Sequence, residues 1–541
     1  MTTPAPRADL STHRVENQPP ARGDTDLWAS DAPLREAIAR EGGQPAPLAE
    51  YGAALGTVEM RQAARDANTC SPKMHLFDAG GRRLDEVHFH PAYHQFLDLG
   101  IASGYCATAW QGTPGGHTTH AAMVYLASQV EPSTCCPMTM SYAAYPALAA
   151  SPDLAAIWQP KLTTRRYDPS LRPVREKLGV TLGMAMTEKQ GGSDVRANTT
   201  RAEPAGDHWR LTGHKWFCSA PMSDGFLTLA QTPAGLSCFL VPRWLEGARN
   251  AIRIQRLKDK LGNRANASAA IEYEGAEAYL LGEEGRGVAT IIEMVHHTRL
   301  DTAMAPAGLM RAAIVEAHHW ATHRSAFQRR LIDQPLMRAV LADLALDWEG
   351  ALALGLRVAR AYDGPTPEDR AFARIAVALA KYLSNKRCPI VTYEAMESLG
   401  GMGYVEDTPM PMLYREAPLN GIWEGSGNVI CLDILRTLAR EPLAAEVLRV
   451  ELAAASGSDP RYDAALQAHV ARWPALPPEA EARWFVERLA LLLTASLLIR
   501  HAPAVVSDAF VTTRISGEAG RTTGAMAGHD VSAILERIAT R

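Results

Sequence analysis

The stretch MTEKQGGSDVRANTTRA, residues 186–202, decides how this chain is read. Gly191 and Gly192 have no side chain to hold a ligand away from the backbone. Successive backbone N–H groups form a nest that favours an anion, and Thr187 and Ser193 add hydroxyls on either side. A threonine-rich, strand-like segment follows directly. By themselves these residues fit two structures: a surface turn beside a strand, or a cradle for a phosphate-bearing ligand.

Working outward, the 541 residues allow about three or four domains at roughly 150 residues each. A hydrophobic content of 47% with 21% charged residues fits an ordinary soluble globular protein, large enough to bury a core without disulfides. The net charge of −4 predicts no global attraction to nucleic acid or an anionic membrane, and leaves a local basic face open. The eight cysteines, 70, 106, 135, 136, 218, 238, 388 and 431, contain no CxxC pair. Neither a zinc site nor a thioredoxin-like motif is expected. Adjacent Cys135 and Cys136 are poorly placed for a mutual disulfide, so reduced thiols in a cytoplasmic protein are expected. The opening MTTPAPRADLSTHRVENQPP has no apolar stretch of the secretory kind. The most apolar run, LALLLTASLLI at 489–499, is about 11 residues, short of the roughly 20 a membrane span needs. It predicts a buried helix.

The pattern changes along the chain. Residues 1–30 are polar and proline-bearing, and about 31–165 reads helical with interruptions. From about 181 to 280, short β-prone runs such as HWRLTGHKWF, GFLTLAQT and GLSCFLVP alternate with Gly, Pro and Asn, which predicts an antiparallel barrel or sandwich. Long amphipathic helices are expected at about 287–328, 334–363 and 368–399, as in a bundle, and the chain reads helical again after Arg440. The fold class is therefore α+β: an N-terminal arm and helical domain over 1–180, a middle antiparallel β-domain over 181–286, a helical bundle over 287–439 and an extra C-terminal helical domain over 440–541.

Three further stretches carry candidate chemistry. In GHKWFCS, 213–219, Trp216 sits on a strand among small polar residues, where it can face a flat cofactor or serve as a core tryptophan. In RSAFQRRLIDQP, 324–335, Arg324 and Phe327 are spaced to share a helical face and to meet a pyrophosphate and an aromatic ring. Between 394 and 436 a helix stops at Gly400–Gly401, turns, and restarts near Ser426, with Glu424 just before the restart. A carboxylate among apolar neighbours has a raised pKa and works as a base near neutrality; a carboxylate at a helix start is also favoured by the helix dipole alone. His88, His90 and His94 cluster in HFHPAYH without a supporting carboxylate pattern, so no metal is expected.

Taken in order, MTEKQGGSD, KWFCS, RSAFQRRL, and LGGMGYVED…LYRE followed by WEGSGN resemble the signatures of the acyl-CoA dehydrogenase family over about 60–440. RLKDKLGNRANAS, PLMRAVL, IWEGSGNVICLDILR and the C-terminal extension are similar to its AidB-type branch, flavoproteins of the bacterial adaptive response to DNA alkylation. The resemblance implies FAD. It implies that Met184, Met186, Thr187, Gly192 and Ser193 contact the flavin and its phosphates, and that Trp216, Phe217, Cys218 and Ser219 lie along the isoalloxazine. Arg324, with Phe327 beside it, would reach a pyrophosphate across a dimer interface. Glu397, Gly400 and Gly401 would approach the adenosine side of a partner's FAD, and Trp423, Gly425, Ser426, Gly427 and Asn428 would close over the ring. Homo-oligomers, commonly tetramers, go with this arrangement. The implied reaction is α,β-dehydrogenation of an acyl thioester, with Glu424 taking the α proton, the β hydrogen passing to the flavin, and Arg299 in a supporting role. Cys218 stands where a hydroxyl residue is common in the family.

The AidB-type resemblance further implies non-specific binding of double-stranded DNA by the C-terminal region, beside a site for an acyl-CoA or an alkylating small molecule. Residues 440–541 hold 11 arginines, no lysine and 12 acidic residues, so the segment is not basic overall. A phosphate-binding patch needs local contacts rather than net charge; Arg436, Arg440, Arg449 and Arg472 are the candidates, unless they pair with neighbouring acids. No helix-turn-helix or zinc finger is present to read sequence. Three functions stay open: a DNA-associated flavoprotein with weak, isovaleryl-CoA-like dehydrogenase activity, a metabolic short- or branched-chain acyl-CoA dehydrogenase without a DNA role, and a flavin-stabilised DNA-covering protein with no relevant turnover.

Overall fold

Alternating residues in the middle of the chain close into a barrel. A computed structural model describes residues 6–520 and 522–540. Strands β4 (Arg201–Ala205), β5 (His208–Ser219), β6 (Gly225–Thr232), β7 (Gly235–Pro242) and β11 (Ser268–Leu281) form a ring, because β5 pairs with β4 and β11, β6 pairs with β4 and β7, and β7 pairs back to β11. Strand β10 (Ile252–Leu257) extends it beside β11, and a small ribbon, β8 (Trp244–Leu245) with β9 (Ala248–Arg249), lies outside. Leu211, Phe226, Phe239, Val241, Ile271 and Tyr273 fill the interior. The sheet is not wholly antiparallel. Strand β3 (Leu182–Ala185) runs parallel to β6, with Leu182 opposite Gly225, and β4 meets β6 in parallel at Arg201 and Gln231. Parallel neighbours need a long connection rather than a tight turn, and β4 and β5 supply it.

The N-terminal region is built from α1 (Ala32–Glu41), α2 (Pro45–Leu55), α3 (Val58–Thr69), α4 (Pro91–Ser103), α5 (Gly116–Ser128), α6 (Cys135–Leu148) and α7 (Pro152–Leu162). It is not all helix: β1 (Lys73–Phe77) and β2 (Arg83–His88) form an antiparallel hairpin where helix with interruptions was expected. The turn is fixed by Asp78, whose carboxylate accepts from the N–H groups of Gly80 and Arg82. His88 at the strand end stacks on His75, His90 caps α4, and His94 bonds the Tyr167 hydroxyl at 2.7 Å. These are packing and capping roles.

Three long helices make the bundle: α8 (Gly287–His323), α9 (Pro335–Asp363) and α10 (Pro367–Ser398). Thr366 and Asp369 cap α10 reciprocally. Helix α8 stops five residues earlier than expected. Arg324–Arg330 instead form a tight hairpin, β12 (Ser325–Ala326) with β13 (Arg329–Arg330), with Phe327 and Gln328 at φ 52° and 62°. Two successive positive φ values suit a two-residue hairpin turn and are foreign to a helix. Arg324 and Phe327 therefore do not share a helical face.

Helices α11 (Met410–Glu416), α12 (Gly427–Arg440), α13 (Pro442–Ala453), α14 (Pro460–Arg472), α15 (Ala482–His501), α16 (Ala504–Phe510) and α17 (Val531–Glu536) complete the chain. The apolar run in α15 is buried, and it packs into the same hydrophobic core as α8–α10. Ion pairs bolt this last region to the bundle, Arg514 to Asp343 and Asp347, Arg537 to Glu349 and Glu451 to Arg357, while Arg500 joins Glu451 within it. Among the described residues no helix is long and apolar enough to cross a membrane.

Candidate active site

The glycine loop leaves β3 and is pinned from below by a buried ion pair. Glu188 receives the Lys215 ammonium at 2.8 Å, the N–H groups of Thr199 and Thr200, and both threonine hydroxyls. Burial acts to raise the Glu188 carboxyl, but Lys215 and the threonine donors bring it down to about 2. Lys215 also donates to the Leu229 carbonyl at 2.8 Å. The next residue on the strand, Trp216, donates its N–H to the Thr187 carbonyl at 2.8 Å, and Asn198 donates to the Met186 carbonyl at 3.0 Å. The loop is thus tied to β5 through Lys215 and Trp216 and closed on itself by Asn198. A Cβ on Gly192 would lie 2.4 Å from Thr187 Oγ1, so the glycine is needed for the two turns of the loop to meet.

Above this support Trp216 is partly exposed and Phe217 is 48% exposed. Lys258 Nζ lies 3.0 Å from the Trp216 ring centre, with the Arg256 guanidinium at 5.0 Å and Lys189 at 5.9 Å. None of these three cations makes a salt bridge among the described residues. The Gly192 and Ser193 N–H groups, which have no acceptor among the described residues, two accessible aromatic rings and positive charge without ion-pair partners fit a flat ring system carrying phosphates. These residues therefore fit FAD. Cys218 differs from the sequence expectation. Its thiol is fully buried inside the barrel, opposite Ala269. Only its backbone is in position to line a cofactor.

The turn between α11 and α12 carries Glu424. Its backbone has φ 57° and is followed by Gly425 at 102°; Ser426 then starts α12, as WEGSGN suggested. A non-glycine residue in this region is strained and persists only where its surroundings hold it. Those surroundings come from two bundle helices. Thr298 on α8 donates to Glu424 Oε2 at 2.8 Å, and Arg299 Nε donates to the Glu424 carbonyl at 3.2 Å. Arg299 is itself paired to Asp433 at 2.8 Å, and Arg374 grips the same carboxylate with two bonds. Burial raises the Glu424 carboxyl above its ordinary range; the Thr298 hydroxyl, Lys381 and Arg299 act against that rise. Trp423 is fixed by its indole N–H on Asn420 Oδ1 at 2.8 Å.

Tertiary structure joins this turn to the glycine loop. Trp423, Met184 and Met186 pack against one apolar cluster that includes Met140, Tyr142, Ile291 and Met294. Cys136 of α6 belongs to the same cluster, and burial raises its thiol well above the ordinary range. Next to Thr298, His297 is held neutral, pushed down to about 4 mainly by burial. It packs against Trp110, His117 and Tyr362.

The other expected residues lie elsewhere. Arg324 donates to the Asn17 carbonyl, Phe327 is 92% exposed at the hairpin tip, and Glu397 is exposed at the end of α10. A Cβ on Gly400 or Gly401 would meet no atom within 4 Å, so these glycines face open space. Of the four candidate phosphate-binding arginines, Arg449 is bidentate with Glu446, and Arg472 contacts Glu481 at 3.3 Å and stacks on Trp484. Arg436 approaches Asp433 at 3.9 Å, and Arg440 is exposed with no ion pair among the described residues. Pairing with neighbouring acids, the alternative left open by composition, thus applies to Arg449 and Arg472 and, at the longer 3.9 Å, to Arg436. Thr298, Lys381, Asp433 and the Glu188–Lys215 pair were not foreseen. Of these only Glu188 carried a signal, as an acid inside a loop otherwise suited to anions. Among the described residues no three His, Cys, Asp or Glu side chains group as metal ligands.

Comparison with known proteins agrees with this architecture. Residues 17–169 match the adaptive response protein AidB N-terminal domain, 183–276 the acyl-CoA dehydrogenase middle domain and 285–439 the acyl-CoA dehydrogenase C-terminal domain. The chain is 43% identical over 517 residues to the putative acyl-CoA dehydrogenase AidB of Escherichia coli (strain K12), covering 94% of this chain and 95% of that one. It is 33% identical over 416 residues to acyl-CoA dehydrogenase family member 11 of Caenorhabditis elegans, covering 73% and 66%. Among solved structures, Bd2924 in its apo form aligns with a TM-score of 0.81 at 28% identity, over 89% of this chain and 99% of that one. Caenorhabditis elegans ACDH-11 in complex with C11-CoA aligns with a TM-score of 0.80 at 27% identity, over 100% and 94%. Domain order, loop chemistry and sequence agree: the chain belongs to the acyl-CoA dehydrogenase family, in its AidB-type branch, and is an FAD-dependent oxidoreductase.

Proposed function

We propose that the protein removes the α proton of a short or branched acyl-CoA with Glu424 as base, in weak, isovaleryl-CoA-like α,β-dehydrogenation. Bound FAD supplies the two-electron acceptor for the β hydrogen. Met184, Met186, Thr187, Gly192 and Ser193 hold the cofactor, Trp216, Phe217 and Ser219 border its ring, and Trp423 with Gly425–Asn428 cover it. Lys189, Arg256 and Lys258 add positive charge beside Trp216. The observation that carries this reading is Glu424 itself: a carboxylate raised by burial, fixed by Thr298, at a turn whose Trp423 shares an apolar cluster with Met184 and Met186 at the base of the glycine loop. Among the described residues the Glu424 N–H has no acceptor, which leaves it free to donate to a thioester carbonyl where negative charge develops. Arg299 orients the base through its carbonyl and does not take the proton. The test is turnover of a panel of short acyl-CoA esters by wild type and Glu424→Gln. Robust activity left unchanged by the substitution would remove Glu424 as the base.

The similarity to AidB further supports a role in the alkylation response, in which this cytoplasmic protein binds double-stranded DNA non-specifically and protects it, or destroys alkylating small molecules near it. Exposed Arg436 and Arg440 on α12 are the preferred phosphate contacts, since Arg449 and Arg472 are engaged with carboxylates. Phe327, Leu336 and Tyr404 are exposed by 92%, 84% and 80%, which supports a homo-oligomer, a tetramer by family habit, in which Arg324, Glu397, Gly400 and Gly401 serve a partner's cofactor. Duplex binding that weakens steeply with salt supports the DNA role; no binding at low salt returns the chain to the purely metabolic reading.

A further inference from the structure

Lys381 of α10 is 1% exposed and makes no ion pair among the described residues. Its ammonium instead donates to two backbone carbonyls, Asn420 at 2.8 Å and Gly425 at 2.9 Å. A buried ammonium is costly unless its donors are satisfied, so these contacts are structural commitments rather than incidental touches. The two carbonyls bracket Glu424. The carbonyl of Glu424, next to that of Gly425, is held by Arg299 from α8. The turn also contains the strained Glu424 backbone, at φ 57°, and a strained residue keeps its conformation only when neighbours over-determine it. Thr298 fixes the carboxylate, and among the described residues only Lys381 joins the Asn420 and Gly425 carbonyls through one atom.

We infer that Lys381 is a positioning residue for the base: one buried ammonium ties the Asn420 and Gly425 carbonyls together, so that Glu424 keeps its strained backbone. The inference rests on the reading of Glu424 as the base. Glu424 is contacted by Thr298 and Arg299 of α8, and the charges acting on it and on Lys381 are those of Arg299 on α8 and of Lys381 and Lys386 on α10. Burial, with Arg299 and Lys386 assisting and Glu424 opposing, pushes the Lys381 ammonium down to about 7. The clamp therefore carries its full charge below neutrality, where the raised Glu424 most needs help to ionise.

The test separates proton removal from oxidation. Acetyl-CoA has α hydrogens and no β carbon, so deuterium uptake at its α carbon in D2O, followed by NMR, reports on the base alone. The FAD-loaded full chain is compared as wild type, Lys381→Met and Lys381→Arg across pH, with FAD content measured for each. Lys381→Met is expected to lower the plateau exchange rate by about 10- to 100-fold and to move the acid limb to higher pH, because removing the cation raises Glu424 further. Lys381→Arg keeps the charge and two donors and is expected to keep the wild-type limb. A Lys381→Met protein whose plateau and limb both match wild type overturns the inference. So does a Lys381→Arg limb displaced upward, which decides the matter if Lys381→Met fails to load FAD. If wild type neither exchanges deuterium nor oxidises any acyl-CoA, the base assignment falls and takes Lys381 with it; exchange by wild type with no response to Lys381 sinks the lysine alone.

Discussion

Removing the charge of Glu188 should unpin the glycine loop. The carboxylate is fully buried, bonded to Lys215 at 2.8 Å and to four donors of Thr199 and Thr200. Its pKa falls from an ordinary 4.5 to about 2. At about 1.4 kcal/mol per unit, this corresponds to about 3 kcal/mol of stability at neutral pH. An independent estimate agrees: breaking a buried pair by removing one partner costs about 3–5 kcal/mol, because the other charge is left uncompensated. Since the folded value lies below the unfolded one, the contribution is complete above pH 4.5 and is lost as pH falls through about 2. The difference between wild type and Glu188→Gln is therefore about 3 kcal/mol at pH 7 and less than half that by about pH 3. Urea unfolding followed by tryptophan emission measures it, since Trp216 adjoins Lys215. Free-flavin fluorescence in the same titration reports FAD release. A loss below about 1 kcal/mol at pH 7, or a difference that persists unchanged to pH 3, would refute the argument that this ion pair holds the cofactor loop.

Glu424→Gln is expected to reduce kcat by about 10²- to 10⁴-fold while FAD content stays at the wild-type level, as read by steady-state turnover and flavin absorbance. The base must be ionised to act, so kcat/KM rises with pH through a limb above the ordinary carboxylate range. Thr298→Val removes a hydroxyl that holds Glu424 down and moves that limb higher still. Gly192→Ala places a Cβ on Thr187 Oγ1 and forces that β-branched side chain to rotate; the expected loss is about 1–3 kcal/mol, with weaker FAD retention measured by equilibrium dialysis. Arg436→Ala and Arg440→Ala should each reduce the slope of log affinity against log salt for duplex DNA by about 1, whereas Arg449→Ala, already paired to Glu446, should change it little.

Much of the fold was legible in the residues because periodicity and punctuation are local. The run of short alternating segments from HWRLTGHKWF to EYEGAEAYLL became the barrel, and the apolar face of 489–499 became a buried helix. Legibility failed where two local codes competed. KMHLF and RLDEVH are too short to stand out within a helical region, and their hairpin exists because Asp78 fixes the turn and the pair packs toward β10. RSAFQRR carries helical spacing, but Phe327 and Gln328 adopt positive φ and turn the chain back. In the site, Glu424 was visible because it sits between Trp423 and Gly425 at a helix restart. Thr298 and Lys381 were not, because a threonine and a lysine inside long helices look like any others until a third segment packs on them.

The sequence by itself determined the order of domains, the glycine loop that demands an absent side chain at 192, and the carboxylate at 424, since each depends on neighbours within a few residues. Only tertiary structure decided how that carboxylate is held, that the Cys218 thiol turns into the barrel, and that Glu188 and Lys215 support the loop from beneath. Those features depend on residues 27 to 126 positions apart meeting in a dry interior. There the cost of an unpaired charge or donor selects the partner, and chain position does not reveal it.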